Sequence, residues 1–112
     1  MVQKEVEEKI EQLQLFEQNI QALLMQRQTF QSQLLEIENS LEELSKAKDK
    51  PYKIIGPIMV LSDKEELRKE LMSKKEVLDL RVKSIEKQEE EIRNRAKALQ
   101  EEVVKSLKKQ GD

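Results

Sequence analysis

The sequence predicts a mainly α fold: a long antiparallel coiled-coil hairpin whose turn carries a short β-hairpin. Three observations lead there. Of the 112 residues, 39% are charged and only 3% aromatic, with two glycines and two prolines, the composition of long helices rather than of a compact globule. Apolar residues recur at heptad spacing through both halves of the chain, a regularity that a disordered chain lacks. Between the halves lies "PYKIIGPIMVLSD", residues 51–63, a nearly uncharged run of aliphatic and β-branched residues around a Gly-Pro pair.

The first helix is expected over residues 1–49. One line steps by seven through Val6, Leu13, Ile20, Arg27, Leu34 and Leu41. Its companion runs Val2, Lys9, Phe16, Leu23, Phe30, Ile37 and Leu44. Together they form the a and d seam of a coiled coil, broken only by Lys9 and Arg27. A lone basic residue at such a position fixes register at some cost in stability, and Arg27 is read that way. No Pro or Gly interrupts residues 2–49.

The second helix is expected over residues 63–112, its regular part running to about Lys109, just before Gly111. Leu71, Leu78, Ile85, Ile92 and Leu99 form its main line. The companion line holds Val82, Ala96 and Val103, with Lys75 and Glu89 as breaks. Ser62 with Glu65 makes a capping box at its start, and Asp63 with Glu66 is the alternative one residue on. Met25 and Met72 are read as packing residues inside the coil. Helices of about 45 residues are about 65–70 Å long, and the linker is too short for a parallel return. They therefore fold back antiparallel, with the chain ends at one tip and the hairpin at the other.

The hairpin is expected within residues 50–62. Tyr52, Lys53, Ile54 and Ile55 form its first strand and Ile58, Met59, Val60 and Leu61 its second, with Gly56-Pro57 as an unspecified turn. Burying an aliphatic side chain contributes about 1.5–3 kcal/mol, and ordering a residue costs about 1–2 kcal/mol. An isolated two-stranded hairpin therefore comes out near zero. Its second strand is apolar at every position, so both faces need cover, and its edges are open to pairing. Hairpins from several chains joining edge to edge and closing on themselves meet all three needs. This is an assembly element; packing back onto the coil ends is the plainer alternative.

Other function classes lack their residues. Net charge is −2, with acids and bases interspersed, and the short KKQG tail is no substitute for the basic face of a nucleic-acid binder. There is no cysteine, histidine or tryptophan, which removes the usual zinc sites and nucleophile–base pairs. No window approaches the roughly 18 apolar residues of a membrane span, and the N-terminus has no signal-peptide core. The expectation is a cytoplasmic, non-catalytic protein without cofactor or metal, binding neither nucleic acid nor membrane.

The segments "LLMQRQTFQSQLLEIENSLEELSK", "YKIIGPIMVLSDKEELRKEL" and "KKEVLDLRVKSIEKQEEEIRNRAKALQEEV" resemble the β-type subunits of prefoldin, over almost the full length. The aromatic–Lys–aliphatic–aliphatic–Gly start of the hairpin and the "LRVKSIEKQEE" run carry most of the likeness. The Gly-Pro pair is similar to the sixth eukaryotic subunit, whereas the few aromatics and missing histidine fit an archaeal β subunit. The resemblance implies one prefoldin-like domain over 1–112 and a hexamer of two α-type and four β-type subunits. In that hexamer, further copies of this chain and an α-type partner build a β-barrel platform from their hairpins, here Tyr52, Ile54, Ile55, Ile58, Met59, Val60 and Leu61. The coils hang from it, hold unfolded polypeptides at their tips and pass them to a group II chaperonin without ATP. The absence of a phosphate-binding loop agrees with this.

Carried onto this chain, the client-binding tip comprises Val2, Val6, Ile10 and Leu13 with Leu99, Val103, Val104 and Leu107. Helix ends fray and bury their last seam residues least, and several weak sites acting together add avidity. For Val6, Leu99 and Val103 a plain core role competes; Ile10 and Val104 lie off the strict seam. Acidic residues near the end of the second helix are either a chaperonin contact or a solvated face. The rival to the whole reading is a structural coiled-coil adaptor or scaffold, which has no need of an apolar hairpin at its turn. A tRNA-binding arm would need a basic stripe that is missing.

Overall fold

The computed structural model describes residues 2–111, and side-chain surroundings for residues 3–109. It contains α1 (Val2–Lys46), β1 (Tyr52–Ile55), β2 (Ile58–Leu61) and α2 (Lys64–Gly111). The chain divides into two compact units. One joins α1 as far as Arg27 to α2 from Ser84 onward, and the other is Gln28–Lys83, which includes the hairpin.

Each unit is a pair of antiparallel helical segments closed along the heptad seam. In the first, Val6, Ile85 and Val103 are buried; Lys9 meets Glu102 at 3.5 Å and Arg27 meets Glu89 at 2.7 Å. In the second, Leu44, Leu78 and Val82 are buried. There the Arg81 guanidinium lies 5.6 Å from the centre of the Phe30 ring, and Lys75 meets Glu38 at 3.8 Å. In both units partners rise in number on α1 as they fall on α2, which is the antiparallel pairing the short linker demands. The other seam residues from Leu13 to Leu41, and from Leu71 to Leu99 apart from the buried Glu89, are half-buried. A two-helix layer leaves them no second neighbour to complete their cover.

Element ends differ from the sequence expectation in two places, and at a third the structure selects between the two caps the sequence offered. The first helix stops at Lys46 rather than at 49. Pro51 disfavours helical backbone just before it, and the Ala47 N–H turns back to the Leu44 carbonyl at 3.2 Å, tightening the last turn. The Lys64 ammonium donates to the carbonyls of Ala47 at 3.1 Å and Ser45 at 3.4 Å, satisfying groups that the helix end leaves free. At the second helix, Asp63 rather than Ser62 is the cap. Its Oδ2 accepts from the Glu66 N–H at 3.4 Å, and its carbonyl accepts from the Leu67 N–H at 2.9 Å. That helix then continues past Lys109 to Gly111.

The two strands pair antiparallel in the register Tyr52↔Leu61, Lys53↔Val60, Ile54↔Met59 and Ile55↔Ile58. The turn left open by the sequence is a two-residue connection. Gly56 has φ +58°, and the ring of Pro57 holds its own φ near −65°. A positive first and negative second φ is the II′ pattern, whose twist matches the strands and which calls for Gly at its first central position. The Ser62 N–H donates to the Pro51 carbonyl at 2.8 Å, adding one more bonded rung at the base.

Candidate functional site

The hairpin gathers exposed apolar side chains into one short segment. Tyr52, Ile54, Ile55, Ile58, Met59, Val60 and Leu61 are all exposed, so packing back on the coil ends does not cover them. Contiguous exposed apolar surface of this kind marks an interaction site. Alternation and register sort it into rungs. The Ile54↔Met59 rung is the most open, at 72% and 65%, whereas Val60, opposite Lys53, is the least open apolar strand residue at 42%.

Lys53, the one charged strand residue, ties the hairpin to α2. Its ammonium donates to both carboxylate oxygens of Glu70, at 2.6 and 2.8 Å. That hydrogen bond, with the positive charges of Lys53 and Lys74, holds the Glu70 carboxyl below the ordinary carboxylate range against a smaller opposing effect of desolvation. A carboxyl lowered on folding contributes stability that is present above its unfolded pKa and lost as pH falls through the lowered value. The contact is therefore expected to be closed at neutral pH and to open in acid below the usual carboxylate range. Following the Glu70 carboxyl by NMR against pH checks this; a midpoint at or above the ordinary value would contradict it.

The expected tip residues fall into two groups within the first unit. Val6 and Val103 are buried in the seam, and Leu13 and Leu99 are half-buried there. Ile10, Val104 and Leu107 are exposed. Val104 lies on the flank of the seam on α2, in a shallow depression lined also by Lys97, Gln100, Glu101, Lys105 and Lys108. The side chain of Val2 lies outside the described residues. Met25 and Met72, expected as packing, are exposed instead, because both fall off the seam lines.

Sequence reading missed a polar pair in the seam. Arg27 and Glu89 each look like a break in a heptad line, and the antiparallel register brings them together. The Arg27 Nε donates to Glu89 Oε1 at 2.7 Å, and Arg93 lies 3.5 Å from the second carboxylate oxygen. Glu89 retains only 3% of its surface. The signal was available: a basic residue in one seam line and an acidic one in the other, opposed when the helices fold back. Lys9 and Lys75, the remaining breaks, are likewise answered across the helix pair by Glu102 and Glu38.

Comparison with known proteins agrees on one family. A family model described as "Prefoldin subunit" matches residues 7–110. Prefoldin subunit beta of Archaeoglobus fulgidus is 37% identical over 108 residues, covering 95% of this chain and 93% of the relative. Prefoldin subunit beta of Methanothrix thermoacetophila is 38% identical over 105 residues, covering 92% and 88%. The crystal structure of the prefoldin beta subunit from Thermococcus strain KS-1 superposes with a TM-score of 0.86 at 28% identity, covering 92% of each chain.

Proposed function

Since the chain belongs to the prefoldin subunit family, we propose that it is a β-type subunit of an ATP-independent co-chaperone. It works in the cytoplasm, has no catalytic role and needs no cofactor; among the described residues no helix is long and apolar enough to cross a membrane. Further copies of the chain and an α-type subunit join it through their hairpins into a hexamer on a β-barrel platform. Residues 1–112 act in it as one domain. The helix ends hold unfolded polypeptide and release it to a group II chaperonin.

The observation that carries this reading is the hairpin: an apolar two-stranded sheet, exposed on every apolar side chain, in a family of oligomer-forming chaperone subunits. An adaptor that binds a folded partner through its helices gives no reason for it. For the client site, Ile10, Val104 and Leu107 are open in the folded chain, and Val6, Leu13, Leu99 and Val103 become available as the helix ends fray. Val2 belongs with them by sequence position. Loosely held aliphatic groups among lysines and glutamates bind many sequences weakly, and several coils acting on one client add avidity.

The test is removal of residues 1–10 together with 103–112 in the assembly made with its α-type partner. Native mass is expected to change only by the residues removed. Suppression of aggregation of a chemically unfolded test protein is expected to fall severalfold at equal subunit concentration. Undiminished suppression by the trimmed assembly would move the client site elsewhere.

A further inference from the structure

The hairpin is joined to the helices by two short connectors, residues 47–51 and 62–63. Asp63 caps α2 and anchors one of them, and Lys64 ties the end of α1 to the start of α2, but none of these bonds joins a strand residue to a helix. A second anchor is present. Among the described residues, Lys53 to Glu70 is the one side-chain hydrogen bond between a strand residue and a helix, and it is bidentate. Glu70 lies on the second turn of α2, so the bond holds the strand face that carries Lys53 against that helix.

The register states what that orientation exposes. The Ser62 to Pro51 bond marks the lowest rung as hydrogen-bonded. Bonded and non-bonded rungs alternate in an antiparallel pair, so Lys53↔Val60 and Ile55↔Ile58 are bonded and Tyr52↔Leu61 and Ile54↔Met59 are not. The backbone N–H and C=O groups of Tyr52, Ile54, Met59 and Leu61 therefore point outward from the two edges. Their side chains share one face, the face opposite Lys53. The same four residues thus offer free ladder groups and an open apolar surface, and they include the most exposed rung.

We propose that the Lys53–Glu70 contact is a positioning device that orients the hairpin so that its free edges at Tyr52, Ile54, Met59 and Leu61 meet the hairpin edge of a second subunit of the same type. The proposal rests on the assembly reading above and adds the contact that sets its geometry. A strand edge pairs only with a strand presented at the right angle and separation. Without the tie to Glu70, the hairpin forms but samples many directions, and assembly bears the cost of ordering it.

The experiment measures subunit dissociation by native mass and dilution, in the assembly with the α-type partner, with helix content followed by circular dichroism. Lys53→Met and Glu70→Gln are each expected to weaken assembly about tenfold or more with helix content unchanged. The exchanged pair Lys53→Glu with Glu70→Lys is expected to recover most of the loss, which an effect of either residue on packing alone would not produce. Unweakened assembly in both single variants overturns the proposal, as does an exchanged pair no better than the singles. An Ile54→Glu/Val60→Glu chain run alongside separates the two levels. Its dissociation while the Lys53 and Glu70 variants stay assembled refutes the positioning role and leaves the assembly reading intact. Its remaining assembled refutes both.

Discussion

Glutamate at both Ile54 and Val60 is expected to dissociate the assembly and leave both helices formed. The two positions lie on opposite faces of the hairpin by strand alternation, and both are exposed in the single chain. The substitutions therefore remove little packing within the chain itself, most of it at Val60, which keeps 42% of its surface. The larger consequence falls on contacts made with other subunits. Covering an aliphatic side chain contributes about 1.5–3 kcal/mol, so two such losses amount to roughly 3–6 kcal/mol for each chain. Adding carboxylates to a surface that must be desolvated raises the cost further. At about 1.4 kcal/mol per tenfold, the association constant falls by roughly a hundredfold or more. Native mass and circular dichroism together check this: subunits with unchanged helicity are expected. An intact oligomer would sink the view that hairpins hold the subunits together.

Arg27→Leu is expected to be the most damaging single substitution within the coil. Among the described residues it leaves the Glu89 carboxylate in the seam with Arg93, 3.5 Å away and itself mostly exposed, as its remaining ion-pair partner. Breaking a buried pair from one side costs about 3–5 kcal/mol; the residual help from Arg93 places the expectation at the lower end, about 3 kcal/mol. Arg27→Leu with Glu89→Leu restores an unbroken apolar seam and is expected to match or exceed the parent in stability. What the double variant loses is the polar contact that distinguishes this register from a slipped one. Denaturant unfolding at one fixed protein concentration measures the first effect, the fixed concentration being needed because assembly adds to apparent stability. The chain has no cysteine, so introduced cysteine pairs on α1 and α2 report register without interference. A double variant as unstable as Arg27→Leu alone would contradict this account of the pair.

Most of the architecture was legible because helical seams are written as a period. All the residues of the two lines that the structure describes, from Val6 to Leu44 and from Leu71 to Val103, are buried or half-buried, the polar breaks included. The hairpin was legible from β-branched runs around Gly-Pro, and its solvent-facing apolar rungs follow from a strand with no polar alternation. Element ends were less so. Lys46 ends α1 partly because Lys64, eighteen residues on, reaches its last carbonyls, a tertiary contact that local propensity does not contain. The Arg27–Glu89 pair was hidden for the same reason, since each half reads as an imperfection until the register between helices is known. Lys53–Glu70 likewise needs the hairpin's angle. The exposure of Val104 and Leu107 against the burial of Val103 follows from helical phase, one residue's step of about 100° separating seam from flank.

The most direct measurement of the central claim, that exposed hairpins build one defined assembly, is the native mass of the tagged chain recovered from its source cells. A discrete hexamer is expected, four copies of this chain with two of a slightly larger coiled-coil subunit. A dimer of the chain, with no small coiled-coil partner, would contradict it.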